Sequence, residues 1–438
     1  MPTSGIADVD DKVFVLVTGA NSGLGYSICC RLADEFLASR QNDHRSLTVI
    51  FTTRSTRKAN DTLRSLQTHL RTSVKDRVTF VPENVDLCNL LSVRALSRRL
   101  NKSFPKLDAI VLNAGIGGWT GLNWPLAIWS VVTDLVHAVS WPTYKVAPAG
   151  LITDHQTTSL TNKEPPLGTV FCANVFGHYM LAHNIMPLLH RSGSPNGPGR
   201  VIWVSSIEAT TKLLDVDDPQ GLRSLAPYET SKALTDVLSL TSDLPSTAPW
   251  VKSFYSTSSK NSDTDPTTTS HPPNTYLSHP GVCSTSILPL PTVLIYAMVA
   301  ATWLARILGS PWHTLSTYLG ACAPVWLALS PQSALDAAEV PYQRHGGSRV
   351  KWGSSTSRTG ACFPASTEVE GWGYGGVVGP AVVEEDRVRR RKRGATDLTS
   401  EEKERFEDLG RKCWQQMEEL RKQWDELLNL EEQAGVQE

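Results

Sequence analysis

Five apolar residues, 13–17, run without a break into "TGANSGLG" and then into a helical pattern at 24–38. An unbroken apolar run of that length suits a strand buried on both faces. Glycines at 19, 23 and 25 let the backbone turn sharply and let another group approach it closely. A pyrophosphate placed there would meet the N–H groups that open the following helix. The alternation then continues, with strands expected at 47–54, 77–87, 107–115 and 199–206 and helices at 57–72 and 90–101. Apolar strands alternating with helices predict a doubly wound α/β domain, a parallel sheet covered on both faces.

Around this core the chain divides by composition. The core spans 1–250 and carries an insert at 116–168 rich in tryptophan and proline. Residues 251–273, mostly "FYSTSSKNSDTDPTTTSHPPN", read as a disordered Ser/Thr/Pro loop. Residues 274–360 complete the core, cover the substrate and associate with a membrane, and 361–398 read as a linker. From 399 to 430 an amphipathic helix is expected. Thr399 and Glu402 make a capping box there, and Phe406, Leu409, Cys413, Leu420, Trp424 and Leu427 lie at helical spacing. Such a helix docks on the body or offers its face to a partner helix or a membrane. The basic run "RVRRRKR" before it (387–393) reads as a solvated linker rather than a nucleic-acid site.

The stretch "ILPLPTVLIYAMVAATWLA" (287–305) is uncharged for 19 residues, long enough to span a bilayer. Pro289 and Pro291 interrupt its start, however, and core segments flank it on both sides. Three readings stay open: a buried helix over the substrate, a helix lying in the membrane interface, and a span.

Lys and Arg total 42 against 43 Asp and Glu, so nothing suggests a polyanionic partner. With 19% charged residues and 13 tryptophans, the chain points towards apolar surfaces or substrates. Eight scattered cysteines without C-x-x-C suggest reduced thiols facing the cytosol. No metal-ligand motif is present, and the polar, acidic opening "MPTSGIADVDDK" does not read as a secretory signal.

"YETSK" (228–232) places Tyr228 one helical turn before Lys232. A neighbouring cation lowers a phenol's pKa and fits it for proton transfer. Taken alone, the same pair reads more readily as a solvated helical turn. At the end of the second strand, "TTRSTRK" has no acidic residue for a ribose 2′-OH. Arg54, helped by Arg57 or Lys58, suits a 2′-phosphate, and hence NADP over NAD.

Together, "TGANSGLG", "NAG" (113–115), "VSS" (204–206) and "YETSK" resemble, in matching order, the short-chain dehydrogenase/reductase family over about residues 12–285. The resemblance implies that Tyr228 is the general acid, with Lys232 lowering its pKa and holding the nicotinamide ribose. It makes Ser206 the hydrogen-bond partner of the substrate carbonyl and Asn174, in "ANVFGHY", the keeper of a proton-relay water. Asp86 would contact the adenine and Asn113 support the central strand. Further cofactor contacts are implied for Gly19, Asn21, Gly23, Leu24 and Gly25, for Thr53 beside Arg54, and for Val282 and Ser284. Two departures matter. Ser206 and Tyr228 are 22 positions apart, so "IEATTKLLDVDDPQGLRSLAP" must loop out, and Ser205 competes for the serine role.

The strings "NWPLAIWSVVTDLVHAVSWPTYK" (123–145), "ANVFGHY", "ARILGSPWH" (305–313) and "KWGSSTSRTG" (351–360) resemble, more narrowly, the fungal 3-ketosteroid reductases of sterol C-4 demethylation. That resemblance implies NADPH-dependent reduction of a 3-oxo sterol of the zymosterone type to its 3β-alcohol in ergosterol biosynthesis. It also implies a place on the cytosolic face of the endoplasmic reticulum membrane, or on lipid droplets. The methyl oxidase, the C-3 decarboxylating dehydrogenase and a scaffold protein would be its partners. Two other readings fit the same residues: a reductase of another lipid or retinoid ketone, and a sterol-complex scaffold with residual reductase activity.

Overall fold

The computed structural model describes residues 11–39, 44–70, 77–157, 164–193, 196–256, 272–283, 292–388, 390–391 and 394–435. Among these, eight strands form one sheet: β1 (Lys12–Val17), β2 (Ser46–Thr53), β3 (Val78–Asn84), β4 (Ala109–Leu112), β5 (Arg200–Val204), β6 (Asn274–His279), β7 (Lys351–Thr356) and β8 (Cys362–Thr367). Their order is β8-β7-β6-β5-β4-β1-β2-β3, all parallel except the antiparallel edge strand β8. Side chains alternate between faces. Leu16, Ile50 and Ile110 join one apolar layer, while Val15, Val17, Val49 and Phe51 join the other.

The helices that matter for the site are α1 (Gly23–Ser39), α2 (Thr56–His69) and α3 (Leu90–Ser103). The insert holds α4 (Trp124–Thr133) and α5 (Leu135–Ser140), with a short ribbon pairing Gly121–Leu122 to Lys145–Val146. Next comes α6, residues 169–184, whose middle turn Cys172–Phe176 is widened to a π-helix. Then follow α7 (Pro227–Leu240), α8 (Ala248–Tyr255), α9 (Thr292–Ile307) and α10 (Ser400–Gly435).

The C-terminal helix α10 docks on the body. Its cap is reciprocal: the Glu402 amide donates to Thr399 Oγ1 at 3.2 Å and the Thr399 amide to Glu402 Oε2 at 2.9 Å. Trp414 packs 5.6 Å from Phe254 and donates its indole N–H to the Leu238 carbonyl at 3.1 Å. Glu418, fully buried, accepts from the Tyr179 hydroxyl at 2.7 Å and from Arg421 at 2.8 Å.

Three sequence expectations need correction. The loop assigned to 251–273 starts too early, because α8 runs to Tyr255 and Phe254 is buried between Tyr179 and Trp414. One aromatic pair anchors a turn whose neighbours look like loop. Residues 257–271 lie outside the described residues. Nor is 361–398 a linker. It begins with β8, whose Pro364 is tolerated at a sheet edge, and continues through glycines with positive φ at 371, 373, 375 and 376 around the buried Trp372. The basic run is likewise engaged. Arg390 pairs with buried Asp386 at 2.8 Å and Arg391 with Asp397 at 2.7 Å.

Phe254→Ala should lower unfolding stability by about 3–5 kcal/mol, the usual cost of emptying a buried aromatic site. Denaturant unfolding checks this, and a loss below about 1 kcal/mol contradicts the docking described.

Candidate active site

At two positions of the turn from β1 into α1, Gly19 and Gly25, there is no room for a side chain. Gly19 has φ +70°, and a Cβ there would lie 2.7 Å from Ala114 Cβ. A Cβ on Gly25 would overlap the Gly19 carbonyl and come 2.6 Å from Asn113 Nδ2. Gly23, at φ +58°, has open space around its missing side chain. Asn113 ties β4 to this turn, its Nδ2 donating to the Thr18 carbonyl at 2.9 Å. Thr18, which the sequence reading passed over, is the node. Its buried hydroxyl accepts from the amides of Asn113 (2.9 Å) and Ala114 (3.0 Å) and contacts His178 Nε2 at 2.8 Å.

This cradle, opening onto the first turn of α1, fits a dinucleotide pyrophosphate. Asn21 and Leu24 lie on the same turn, Asn21 exposed and bonded to Ser22. At the end of β2, Thr53 is buried and donates to the Ser55 carbonyl at 2.9 Å, leaving Arg54 exposed beside it. Asp86 is exposed just past β3 and accepts from the Cys88 amide at 2.9 Å. Val282 follows β6, its amide donating to the Trp312 carbonyl at 2.6 Å. Ser284 lies outside the described residues.

At the carboxyl end of β5 the two serines part company. Ser205 is buried, and its hydroxyl donates to Asp236 Oδ1 at 2.5 Å and to the Lys232 carbonyl at 3.3 Å. Ser206 instead lies beside the Tyr228 phenol, close enough to pull its pKa down, and its Oγ accepts from the Glu208 amide at 3.1 Å. Ser206 is therefore the serine that meets Tyr228. Pro227 opens α7 in the first-turn position it favours, which puts Tyr228 and Lys232 one turn apart on that helix. Lys232 is buried, not solvated, and donates to the Val204 carbonyl at 2.8 Å. Asn174, in the π-turn, accepts from the Ile116 amide at 2.8 Å and donates to the Ile116 carbonyl and Ser231 Oγ at 3.0 Å. Its side chain thus braces the segment after β4 against α7. The long connection from Ser206 to Tyr228 folds over the body. The Glu370 carboxylate accepts from Thr210, and the Val216 carbonyl accepts from Gln416.

The expected lowering of the phenol's pKa is not what the structure holds. Burial raises Tyr228 above its ordinary value and the Glu208 charge adds to this, while the Ser206 hydrogen bond opposes it. Lys232 lies 5.8 Å from the Tyr228 ring centroid, with its ammonium turned to a backbone carbonyl. Burial pulls Lys232 down to about 8, against the opposing charge of Asp236. A tyrosine so placed carries its proton at neutral pH, as a proton donor must.

The tryptophan-rich insert supplies the roof, through residues the sequence did not single out. Trp119, in the insert, packs 4.7 Å from the Tyr228 ring, and Lys145 sits 3.8 Å above the Trp119 centroid. The Lys145 ammonium is held by Glu208 and, at 3.2 Å, by Glu229. Lys145, Glu208 and Glu229 are far apart in sequence or unremarkable within their motifs, so only the folded chain brings them together.

Residues 13–124 match the family described as short chain dehydrogenase. A 3-keto-steroid reductase, erg27, from Aspergillus fumigatus is 70% identical over 432 residues, 96% of this chain and 96% of its own. The 3-keto-steroid reductase ERG27 of Gibberella zeae is 39% identical, again over 96% of each chain. Among solved structures, menthone neomenthol reductase from Mentha piperita covers 73% of this chain and 95% of its own, at 18% identity and TM-score 0.41. The chain belongs to the short-chain dehydrogenase/reductase family, and its place within that family is among the 3-keto-steroid reductases.

Tyr228→Phe keeps the ring and removes the hydroxyl, so kcat should fall by roughly 10²–10⁴, the loss typical of a missing general acid. Steady-state kinetics check this, and a variant keeping a third or more of the turnover contradicts the role.

Proposed function

We propose that this chain reduces the 3-oxo group of a sterol to the 3β-alcohol with NADPH, through Ser206, Tyr228 and Lys232. Its kinship with 3-keto-steroid reductases makes it an oxidoreductase that uses a nicotinamide cofactor and acts on a 3-oxo sterol. The observation that carries the chemistry is the convergence at the carboxyl end of β5 of Ser206, close enough to the Tyr228 phenol to pull its pKa down, with Lys232, which donates to the Val204 carbonyl at 2.8 Å.

When bound, the nicotinamide supplies the hydride. The ketone oxygen is received between Ser206 Oγ and the Tyr228 hydroxyl. Tyr228 holds its proton through burial and the Glu208 charge, and releases it as negative charge develops on that oxygen. Lys232, with its pKa near 8, remains a cation at neutral pH and stabilises the phenolate left behind. Asn174 holds Ile116, and with it the start of the roof. A sterol offers one polar atom on a large apolar body, which suits one proton donor beneath Trp119 and the tryptophan-rich insert.

NADPH is favoured by Arg54, exposed at the end of β2 where the adenosine ribose lies in this fold, with no carboxylate at that strand end to bind a free 2′-OH. The place of work is a membrane. Among the described residues no helix is long and apolar enough to cross one. Helix α9, 16 residues long, instead buries Thr302, Ala305 and Arg306 while exposing Tyr296 (72%), Trp303, Leu304 and Ile307. It packs on α5, and the neighbouring α4 exposes Ile128, Trp129 (68%) and Val132. Tryptophan and tyrosine among aliphatics, one face packed and one bare, suit a bilayer interface. We assign the cytosolic face of the endoplasmic reticulum membrane or lipid droplets, beside the methyl oxidase, the C-3 decarboxylating dehydrogenase and their scaffold. Loss of a C-4 carboxyl activated by a 3-ketone leaves a 3-oxo sterol, the substrate required here.

Arg54→Ala should weaken NADPH binding about 10–100-fold, the loss of one charge-assisted hydrogen bond, and leave NADH nearly unchanged. Equal losses for the two cofactors contradict the assignment. In flotation with lipid vesicles, the wild type should rise and Trp129→Asp/Ile307→Asp should stay behind. Each lost insertion is worth about 1.5–3 kcal/mol, so with two lost partitioning should fall by roughly 10²–10⁴-fold. A wild type that never floats contradicts membrane attachment through this face.

A further inference from the structure

Lys351 opens β7 and lies far in sequence from the catalytic motifs, yet the sheet brings it to them. Its strand neighbour on β6 is Leu277, and Leu277 in turn pairs with Trp203 on β5, just before Val204, Ser205 and Ser206. The Lys351 ammonium donates to the Ser206 carbonyl at 2.7 Å and to Asp236 Oδ2 at 2.5 Å. The other Asp236 oxygen accepts from the Ser205 hydroxyl at 2.5 Å. Asp236 itself stands one helical turn beyond Lys232 on α7. Lys351, Asp236 and Ser205 are 3%, 1% and 3% exposed, so the whole arrangement is shut away from water.

A buried ion pair is poor evidence of stability, because well-packed apolar residues serve as well or better. What this pair does that an apolar pair could not is hold two consecutive residues by different atoms. Ser205 is held by its side chain and Ser206 by its backbone carbonyl. With the chain behind it gripped, the Ser206 hydroxyl stands between the Glu208 amide, from which it accepts at 3.1 Å, and the Tyr228 phenol, whose pKa it lowers. We propose that Lys351 and Asp236 are positioning residues for Ser206, setting the hydroxyl that receives the substrate oxygen by gripping the chain behind it. The inference rests on the reading of Ser206 and Tyr228 as groups that act on the substrate. It gives the late strand β7 a part in the chemistry. Neither the cofactor turn nor the motif around Tyr228 contains this information.

The test is a double-mutant cycle on the full-length protein. Lys351→Met/Asp236→Leu removes both charges together, so neither is left as a lone buried charge, and Lys232 loses the attraction of Asp236 along with the repulsion of Lys351. The unfolding midpoint should stay level or rise, and the NADPH dissociation constant should stay within twofold. With a 3-oxo sterol as substrate kcat should fall roughly 10²-fold, the loss that follows when a catalytic group is displaced by about 1 Å. Ser206→Ala is then made in both backgrounds. It should cost a large factor in the wild type and little in the double variant, whose serine is already out of place. A cost of Ser206→Ala equal within a factor of two in both backgrounds overturns the proposal. If the double variant unfolds, Ser205→Ala replaces it in the same cycle, since it releases one of the two grips without touching a charge, and the same criterion applies. Wild-type kcat in both Ser206→Ala and Tyr228→Phe sinks the catalytic reading itself. Large losses in both with additive costs sink the positioning role alone.

Discussion

Parallel strands can be joined only by crossovers that pass over a face of the sheet, so successive strands deliver their carboxyl ends to one edge. In this chain that constraint sets the whole site. The glycine turn leaves β1, Arg54 leaves β2, Asn113 leaves β4, Ser206 leaves β5 and Val282 leaves β6, all at the same rim. Thr18 converts proximity into order. A single buried hydroxyl joins the ends of β1 and β4 and touches His178 on α6, so the cofactor cradle and the π-turn carrying Asn174 are fixed to each other.

The first five strands and their helices were legible because each is a local pattern: a continuous apolar run, a turn, an amphipathic period. The later strands were not. β7 reads "KWGSST", with little to suggest a buried strand, yet Ser354, Ser355 and Thr356 are wholly buried. Their hydroxyls donate to the carbonyls of Gly320, Pro311 and His313, at 2.6, 3.1 and 3.1 Å. Polar side chains satisfied by distant loops leave no trace in hydropathy. The same holds for the segment after β8, where glycine turns wrap Trp372, and for Phe254, which finds its partners on α6 and α10.

The site divides along the same line. Tyr228, Lys232, Ser206, Asn113 and the glycines could be named from motif spacing. The choice between Ser205 and Ser206 could not, since it depends on Asp236 claiming one hydroxyl. Nor could the direction of the Tyr228 shift, which follows from Glu208 and from burial under Trp119 and Lys145. Three charges drawn from the insert, the β5 exit and α7 surround that phenol. Burial and the two carboxylates, Glu208 and Glu229, favour a protonated tyrosine, which is the state a ketone reduction consumes, whereas a neighbouring lysine alone had suggested the opposite.

The central claim is that this proton donor, beneath an apolar roof, serves a sterol ketone. The direct measurement supplies the purified chain with NADPH and a 3-oxo sterol dispersed in lipid vesicles. NADPH oxidation is followed together with formation of the 3-hydroxy sterol. The account predicts one sterol alcohol per NADPH consumed, with the hydroxyl in the 3β configuration, and little or no turnover of retinal or other lipid ketones. Reduction of those ketones with no turnover of a 3-oxo sterol would contradict it.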